Sequence, residues 1–137
     1  MKATEMKSTR VAYEAATDRG FEETVKACRE ELDRQGFGVL TEIDVQATLK
    51  KKLGVELEPN VILGACHPPS AHRALGIAPE VAVLLPCNVA VAREGGRTVV
   101  RAMNPESVLG LLGKPELDEA AAEVGAALRK VVAAATS

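Results

Sequence analysis

The sequence predicts a single α+β domain, in which helices pack on a largely antiparallel sheet. Along the chain, the spacing of apolar residues switches between two, which is typical of a strand, and three to four, which is typical of a helix. Glu94, Gly95 and Gly96 separate two long apolar stretches as a hairpin turn does. A hairpin excludes a purely parallel sheet, and 137 residues suffice for one domain with its own core.

The first quarter of the chain predicts a strand followed by a helix. Val11 and Tyr13 alternate with smaller or polar residues in a strand over residues 9–15. The helix ends at Gly36, a residue suited to the C-terminal cap. Four apolar residues define its inner stripe: Phe21, Val25, Cys28 and Leu32.

A second strand and helix follow. Alternating residues predict the strand over 37–43, and Asp44 caps a helix over 45–53 that ends at Gly54. We expect Leu49 and Leu53 to face inward, while the lysines at 50–52 face water. The next strand begins at Pro59 and Asn60.

The segment 61–66 is apolar at every position except Gly64, which indicates a central strand covered on both faces. Pro68 and Pro69 then start a short helix over about 69–76, since proline is tolerated in a first helical turn. Residues 81–93 predict one long strand, and residues 97–103 predict its hairpin partner.

Two helices end the chain. Asn104 and Pro105 form an N-cap and first turn, and Pro115 opens the last helix. The last helix carries a regular apolar stripe of Leu117, Ala121, Val124, Leu128 and Val131. We expect a flexible N-terminus over residues 1–8 and one domain over 9–134.

Composition excludes several classes of function. Seventeen basic and nineteen acidic residues give a net charge of -2, with no basic tail, and aromatic residues make up only 2%, which argues against nucleic-acid binding. The longest apolar run, 81–92, is interrupted and too short for a membrane span. No secretion signal opens the chain, and three cysteines do not suit a disulfide framework, so we expect a cytoplasmic protein.

Two cysteine motifs mark the candidate site. Cys66 is followed by His67 and Pro68, while Cys87 lies between Pro86 and Asn88. On the first strand, Ile62, Gly64 and Cys66 share a face; on the second, Val83, Leu85, Cys87 and Val89 do. If the strands are neighbours, the two sulfurs approach, with His67 or His72 within reach of either. We therefore predict a ligand site formed by Cys66, His67, Cys87 and Asn88.

Three uses of this cluster stay open. Thiolate and imidazole groups suit a soft metal or haem, although the spacing of Cys66 and Cys87 matches no known ligand pair. A Cys66 thiolate, stabilised by His67 and a helix start, suits redox or nucleophilic chemistry. Alternatively, both cysteines are small apolar residues of the core, as we expect for Cys28, whereas His72 is expected on the surface.

The residues that carry these motifs also carry a family resemblance. The segments 64–68 and 84–89, together with Gly20, Phe21 and the stretch 36–39, resemble the bacterial and archaeal domain-of-unknown-function family numbered three hundred and two. The resemblance spans about residues 11–131. It implies a dimer-forming single domain with a strand, helix, four-strand, helix core similar to one half of the TATA-binding protein. The helices near 45–53 and 69–76 are then additions.

The sequence thus predicts a homodimeric binding or interaction module with a pocket lined by the Cys66 and Cys87 motifs. Its partner is a small molecule or a soft metal, not nucleic acid or a membrane. The alternative is a cysteine-dependent redox enzyme. Whether the protein is an enzyme stays open, and neither the residues nor the resemblance assigns a catalytic residue or a cofactor.

Overall fold

A computed structural model describes residues 4–137 and shows one six-stranded antiparallel sheet with helices on one face. The strands are β1 (Lys7–Ser8), β2 (Ala12–Thr17), β3 (Gly38–Asp44), β4 (Asn60–Cys66), β5 (Cys87–Glu94) and β6 (Arg97–Met103). The helices are α1 (Phe21–Arg34), α2 (Val45–Leu53), α3 (Pro68–Ile77), α4 (Pro105–Gly110) and α5 (Asp118–Thr136). Two 3₁₀ segments, Pro79–Leu84 and Pro115–Leu117, complete the chain.

The strand order β1-β2-β6-β5-β4-β3 confirms the predicted α+β class. From β2 through α1, the strands β3 to β6 and α5, the elements follow the strand, helix, four-strand, helix order of the resemblance. The helix predicted over 45–53 is α2 and that near 69–76 is α3; both are additions to this core. No helix in the described part of the chain is both long enough and apolar enough to cross a membrane.

The main core lies between the sheet and the two long helices. Alternate residues of each inner strand point toward α1 and α5, as the two-residue period of a strand requires. Cys28 and Leu32 from α1 are fully buried there, as predicted for Cys28. The expected stripe of α5 is buried along its whole length, from Leu117 to Val131.

Local sequence signals place most element ends correctly. The Asp44 side chain accepts a hydrogen bond from the amide of Ala47 at 2.9 Å and caps α2, and Gly54 ends the helix in the left-handed region with φ +68°. Gly95 and Gly96, at φ +59° and +82°, form the turn of the β5–β6 hairpin, where two positive φ angles suit the twist of the strands.

The long strand predicted over residues 81–93 is wrong in its first part. Pro79–Leu84 is a 3₁₀ segment, the Leu85–Pro86 peptide bond is cis, and β5 begins only at Cys87. An apolar run does not by itself distinguish helix from strand, and Pro86 has no amide for the sheet ladder. Val83 therefore lies in the 3₁₀ segment, where it is 86% exposed, and the prediction that it shares a strand face with Cys87 is wrong.

Two smaller expectations also need correction. The first long strand begins at Ala12 instead of residue 9, because Thr9 closes a turn by bonding the amide and carbonyl of Ala12. Leu53 is 70% exposed and does not face inward. By contrast, both faces of β4 are covered as expected: one face packs in the core, and Pro86 and Thr41 cover Gly64 on the other.

The chain ends also differ from expectation. Lys7 and Ser8, which we expected in a flexible N-terminus, pair with β2, and α5 continues past residue 134 to Thr136. Residues 1–3 of that predicted N-terminus lie outside the described residues.

Candidate functional site

The two cysteine motifs meet at one end of the sheet. β4 ends at Cys66 and the neighbouring β5 begins at Cys87, which lies opposite Ala65 in the antiparallel register. β6 pairs with the other side of β5 and ends at the same end of the sheet, at Met103. The chain leaves the sheet here in α3, the first 3₁₀ segment and α4, and these elements close over the strand ends.

A cavity of about 30 Å³, which we call the strand-end cavity, lies beneath them. Its walls are mostly aliphatic and include Val81, Leu85, Leu109 and Val124. A single water needs roughly 10–15 Å³ measured in this way, so the space suits one or two small species and is too small for an extended organic ligand.

Three sulfur-bearing side chains line the strand-end cavity: Cys66, Cys87 and Met103. Cys87 is buried, Cys66 is half-buried, and neither forms a disulfide. Burial, and to a lesser extent the charge of Cys66, raises the pKa of the Cys87 thiol to about 11. Cys87 is therefore protonated at neutral pH, and the charge of Cys66 acts on it.

His67 lines the same cavity but is held by two contacts of its own. Its Nδ1 lies 2.7 Å from the Ser70 hydroxyl in the first turn of α3, and its ring packs against Phe37 at a centroid distance of 5.2 Å. A side chain at Gly36 would come within 3.5 Å of the imidazole Nε2. The end of α1 and the start of α3 thus fix the orientation of this ring.

Close packing behind the cavity explains why Gly64 precedes the first cysteine motif. A Cβ atom at Gly64 would lie 2.2 Å from the Thr41 hydroxyl oxygen and 2.9 Å from Cγ of Pro86. Neither distance is tolerable. The glycine therefore lets Pro86 lie flat on β4, directly before Cys87 enters β5.

The roof of the cavity is tied to the sheet through Tyr13, which is fully buried. The Tyr13 hydroxyl donates a hydrogen bond to Asn104 Oδ1 at 3.0 Å, and the same oxygen accepts from the amide of Ser107 to cap α4. The guanidinium of Arg129 lies 4.5 Å from the centre of the tyrosine ring. One polar cluster thus joins β2, α4 and α5.

Of the four residues predicted for the ligand site, the structure brings three together. Cys66, His67 and Cys87 line the strand-end cavity, whereas Asn88 lies opposite Gly64, is exposed and does not line it. His72 is exposed on α3, as expected. Sequence reasoning missed Met103, because no local motif marks it and only the folded chain brings it to the cavity.

A larger cleft of about 350 Å³ lies between α1, β3 and α2. Its polar lining includes Lys26, Asp44 and the ion pair of Arg29 with Glu42. Charges of both signs line this cleft, so its electrostatics favour no single ligand class. Nowhere in residues 4–137 do three or more His, Cys, Asp or Glu side chains form a group able to hold a metal ion.

Comparisons with known proteins agree with the fold and the motifs. The model of the family described as "Domain of unknown function DUF302" matches residues 13–135. A solved structure, titled as an uncharacterized conserved DUF302 protein from Bacillus stearothermophilus, is 31% identical, with a TM-score of 0.85. The similarity covers 92% of this chain and 98% of that one. No curated protein matches the sequence. The chain therefore belongs to the DUF302 family.

Proposed function

We propose that the protein is a dimeric binding module whose ligand site is the strand-end cavity. The observation that carries the proposal is that Cys66, His67 and Cys87 line one small, mostly aliphatic cavity. These residues come from two separate motifs, and the cavity is the place where the chain brings them together.

The state of Cys87 favours binding over catalysis. A cysteine nucleophile reacts as the thiolate and needs access to its substrate. Cys87 is only 7% exposed, and burial raises the pKa of its thiol to about 11. At neutral pH this side chain is a protonated, enclosed thiol.

A thiol redox enzyme is the second candidate. It is supported by the half-buried position of Cys66 beside a second thiol in the same cavity. An oxidised form of such an enzyme would join the two sulfurs, whereas a binding module keeps both thiols free while it holds its ligand.

Dimerisation is supported by an exposed apolar surface on β3, α2 and the residues that follow α2. No residue of β3 or α2 is buried, and five large apolar side chains in residues 40–57 are 40–70% exposed. We call these residues the β3–α2 surface: Leu40, Ile43, Leu53, Val55 and Leu57. Apolar groups concentrated in this way are typical of an interface.

We propose that the β3–α2 surface binds a second copy of the chain. β3 is the edge strand of the sheet and pairs only with β4, so its other edge is open to a strand related by a two-fold axis. Three lysines end α2, while Glu22, Glu23 and Glu30 are exposed on α1. Two copies can therefore set opposite charges against each other.

We assign the module to the reducing cytoplasm, and we propose no nucleic-acid or membrane partner. The three cysteines are all free, which is typical of a reducing compartment. The net charge of -2 does not suit binding to a polyanion.

Native mass spectrometry of protein purified without chelators tests both parts of this proposal. We expect the mass of two chains carrying one small ligand per chain. The variant Ala71→Leu fills the cavity from α3 and should lose the ligand but not the dimer. Ala122→Leu, an exposed position on α5, is the matched control and should keep both. An empty monomer in the wild-type protein would contradict the proposal.

A further inference from the structure

We propose that the strand-end cavity binds one copper(I) ion through the thiolates of Cys66 and Cys87 and the thioether of Met103. This inference rests on the proposed ligand site and names the class of its ligand. It adds Met103, which lies apart from both cysteine motifs in the sequence.

The donor set is the first argument. The three sulfur-bearing side chains come from the adjoining ends of β4, β5 and β6, and all three line one small space. Thiolate and thioether ligands select soft metal ions, above all copper(I), over magnesium, calcium or manganese. The aliphatic walls contributed by Val81, Leu85 and Val124 exclude the water that harder ions retain.

The absence of other ligands is the second argument. Zinc in proteins takes four ligands from Cys, His, Asp and Glu, or three and a water. In the part of the chain that the structure describes, no group of three such side chains is placed to hold a metal. Copper(I) is satisfied by two or three sulfurs, and a thioether completes a set that zinc does not accept. His67 meanwhile is engaged through Nδ1 with Ser70.

The size of the site is the third argument. The free volume of about 30 Å³ is enough for one bare ion between the three sulfur-bearing side chains. Binding forms two Cu–S bonds to cysteine and releases the two thiol protons to solvent; the thioether contributes an electron pair and no proton. Copper stays in the +1 state, so the step needs neither an oxidant nor a reductant.

The test is a titration of reduced, metal-free protein with copper(I) in the absence of oxygen, against a chromophoric copper(I) chelator as competitor. We expect one ion per chain. Cys66→Ala and Cys87→Ala should lose competitive binding, whereas Cys28→Ala, which removes a buried thiol outside the cavity, should keep it. Met103→Leu should weaken binding by roughly tenfold or more, and Met6→Leu should leave it unchanged.

X-ray absorption at the copper edge provides the second readout. The wild-type complex should show sulfur neighbours only, and Met103→Leu should remove one of them. If Cys87→Ala does not fold, copper(I) binding by Cys66→Ala is the deciding result, because Cys66 is only half-buried and its replacement disturbs the core less. Equal copper binding by the wild type and Cys66→Ala, or nitrogen and oxygen neighbours in the spectrum, would overturn the site.

The outcomes also separate this inference from the proposed function. If the dimer carries a different small ligand and the chelator removes all copper(I), the metal is wrong and the binding module remains. If the wild-type protein is an empty monomer and yet binds copper(I) through three sulfurs, the inference holds and the dimeric module fails.

Discussion

The strand-end cavity and the β3–α2 surface differ in how far their apolar side chains are buried. At the strand-end cavity, helices and turns pack over the sheet and bury Cys87 and Val81 around a free volume of about 30 Å³. At the β3–α2 surface, a whole strand and helix contain no buried residue. The chain covers one region by its own folding and leaves the other exposed, and we propose that a second copy covers it.

Replacing Gly64 should have the largest effect, because it damages the closed region. In Gly64→Ala the new methyl group meets the Thr41 hydroxyl and Pro86, so we expect a loss of about 3 kcal/mol in the free energy of unfolding. Denaturant unfolding measures it. The control is Gly76→Ala in α3, where nothing lies within 4 Å and the helix should gain up to about 1 kcal/mol. Equal stability of the two variants would show that β4 is not packed as described.

Alkaline pH should reveal the burial of Cys87 in the free energy of unfolding. The pKa of its thiol is about 11 in the folded chain against an ordinary value of 9.0, so the folded state holds the proton more tightly. The resulting stability is complete below pH 9 and disappears as the pH rises through 11, a change of roughly 2–3 kcal/mol.

Unfolding curves from pH 8 to pH 11 measure this change, and Cys87→Ala should lack it. Cys28 is the internal comparison, because burial raises the pKa of its thiol to about 12 and Cys28→Ala should remove a separate part of the pH dependence. A Cys87→Ala curve parallel to that of the wild type would mean that the Cys87 thiol is not buried.

Substitution on the β3–α2 surface should have the smallest effect on the fold. We expect Leu53→Glu to produce monomers, because it places a charge in the apolar interface. The free energy of unfolding of the monomer should change by less than about 0.5 kcal/mol, since the side chain is exposed. Sedimentation velocity measures the association.

Val83→Glu is the matched control for the association measurement. Val83 is 86% exposed in the first 3₁₀ segment and is not part of the β3–α2 surface, so this variant should stay dimeric. If Leu53→Glu stays dimeric and Val83→Glu becomes monomeric, the proposed interface is wrong. The interface would then lie near the strand-end cavity.

The sequence predicts features that depend on neighbouring residues better than features that depend on contacts between distant elements. The spacing of apolar residues and the helix-capping residues predict α1, α2 and the β5–β6 hairpin well. Asp44, Gly54 and the Gly95–Gly96 pair act on their immediate neighbours, so their effect is visible in the sequence. The strand predicted to start at residue 81 is wrong there, because an apolar run lacks a period that separates a strand from a 3₁₀ segment. The prediction for Leu53 is wrong because helical spacing does not reveal whether a neighbouring element covers the side chain.

The candidate site is predictable only as far as local motifs reach. Cys66, His67 and Cys87 lie in short motifs that each contain a proline at a strand end, and this pattern is visible in the sequence alone. Asn88 belongs to the predicted set because it follows Cys87, yet adjacent strand residues point to opposite faces. Met103 has no local signal, since sheet pairing alone brings it to the cavity.

Cysteine alkylation tests the proposed binding module most directly. The reaction rate of each cysteine is measured by mass spectrometry from pH 6 to pH 10. We predict that Cys87 reacts in the native protein as slowly as Cys28, and that both become reactive only when denaturant unfolds the chain. Cys66 should react no faster than it does in the unfolded chain. A Cys66 or Cys87 that reacts at neutral pH faster than in the unfolded chain would contradict the account and identify the protein as a thiol enzyme.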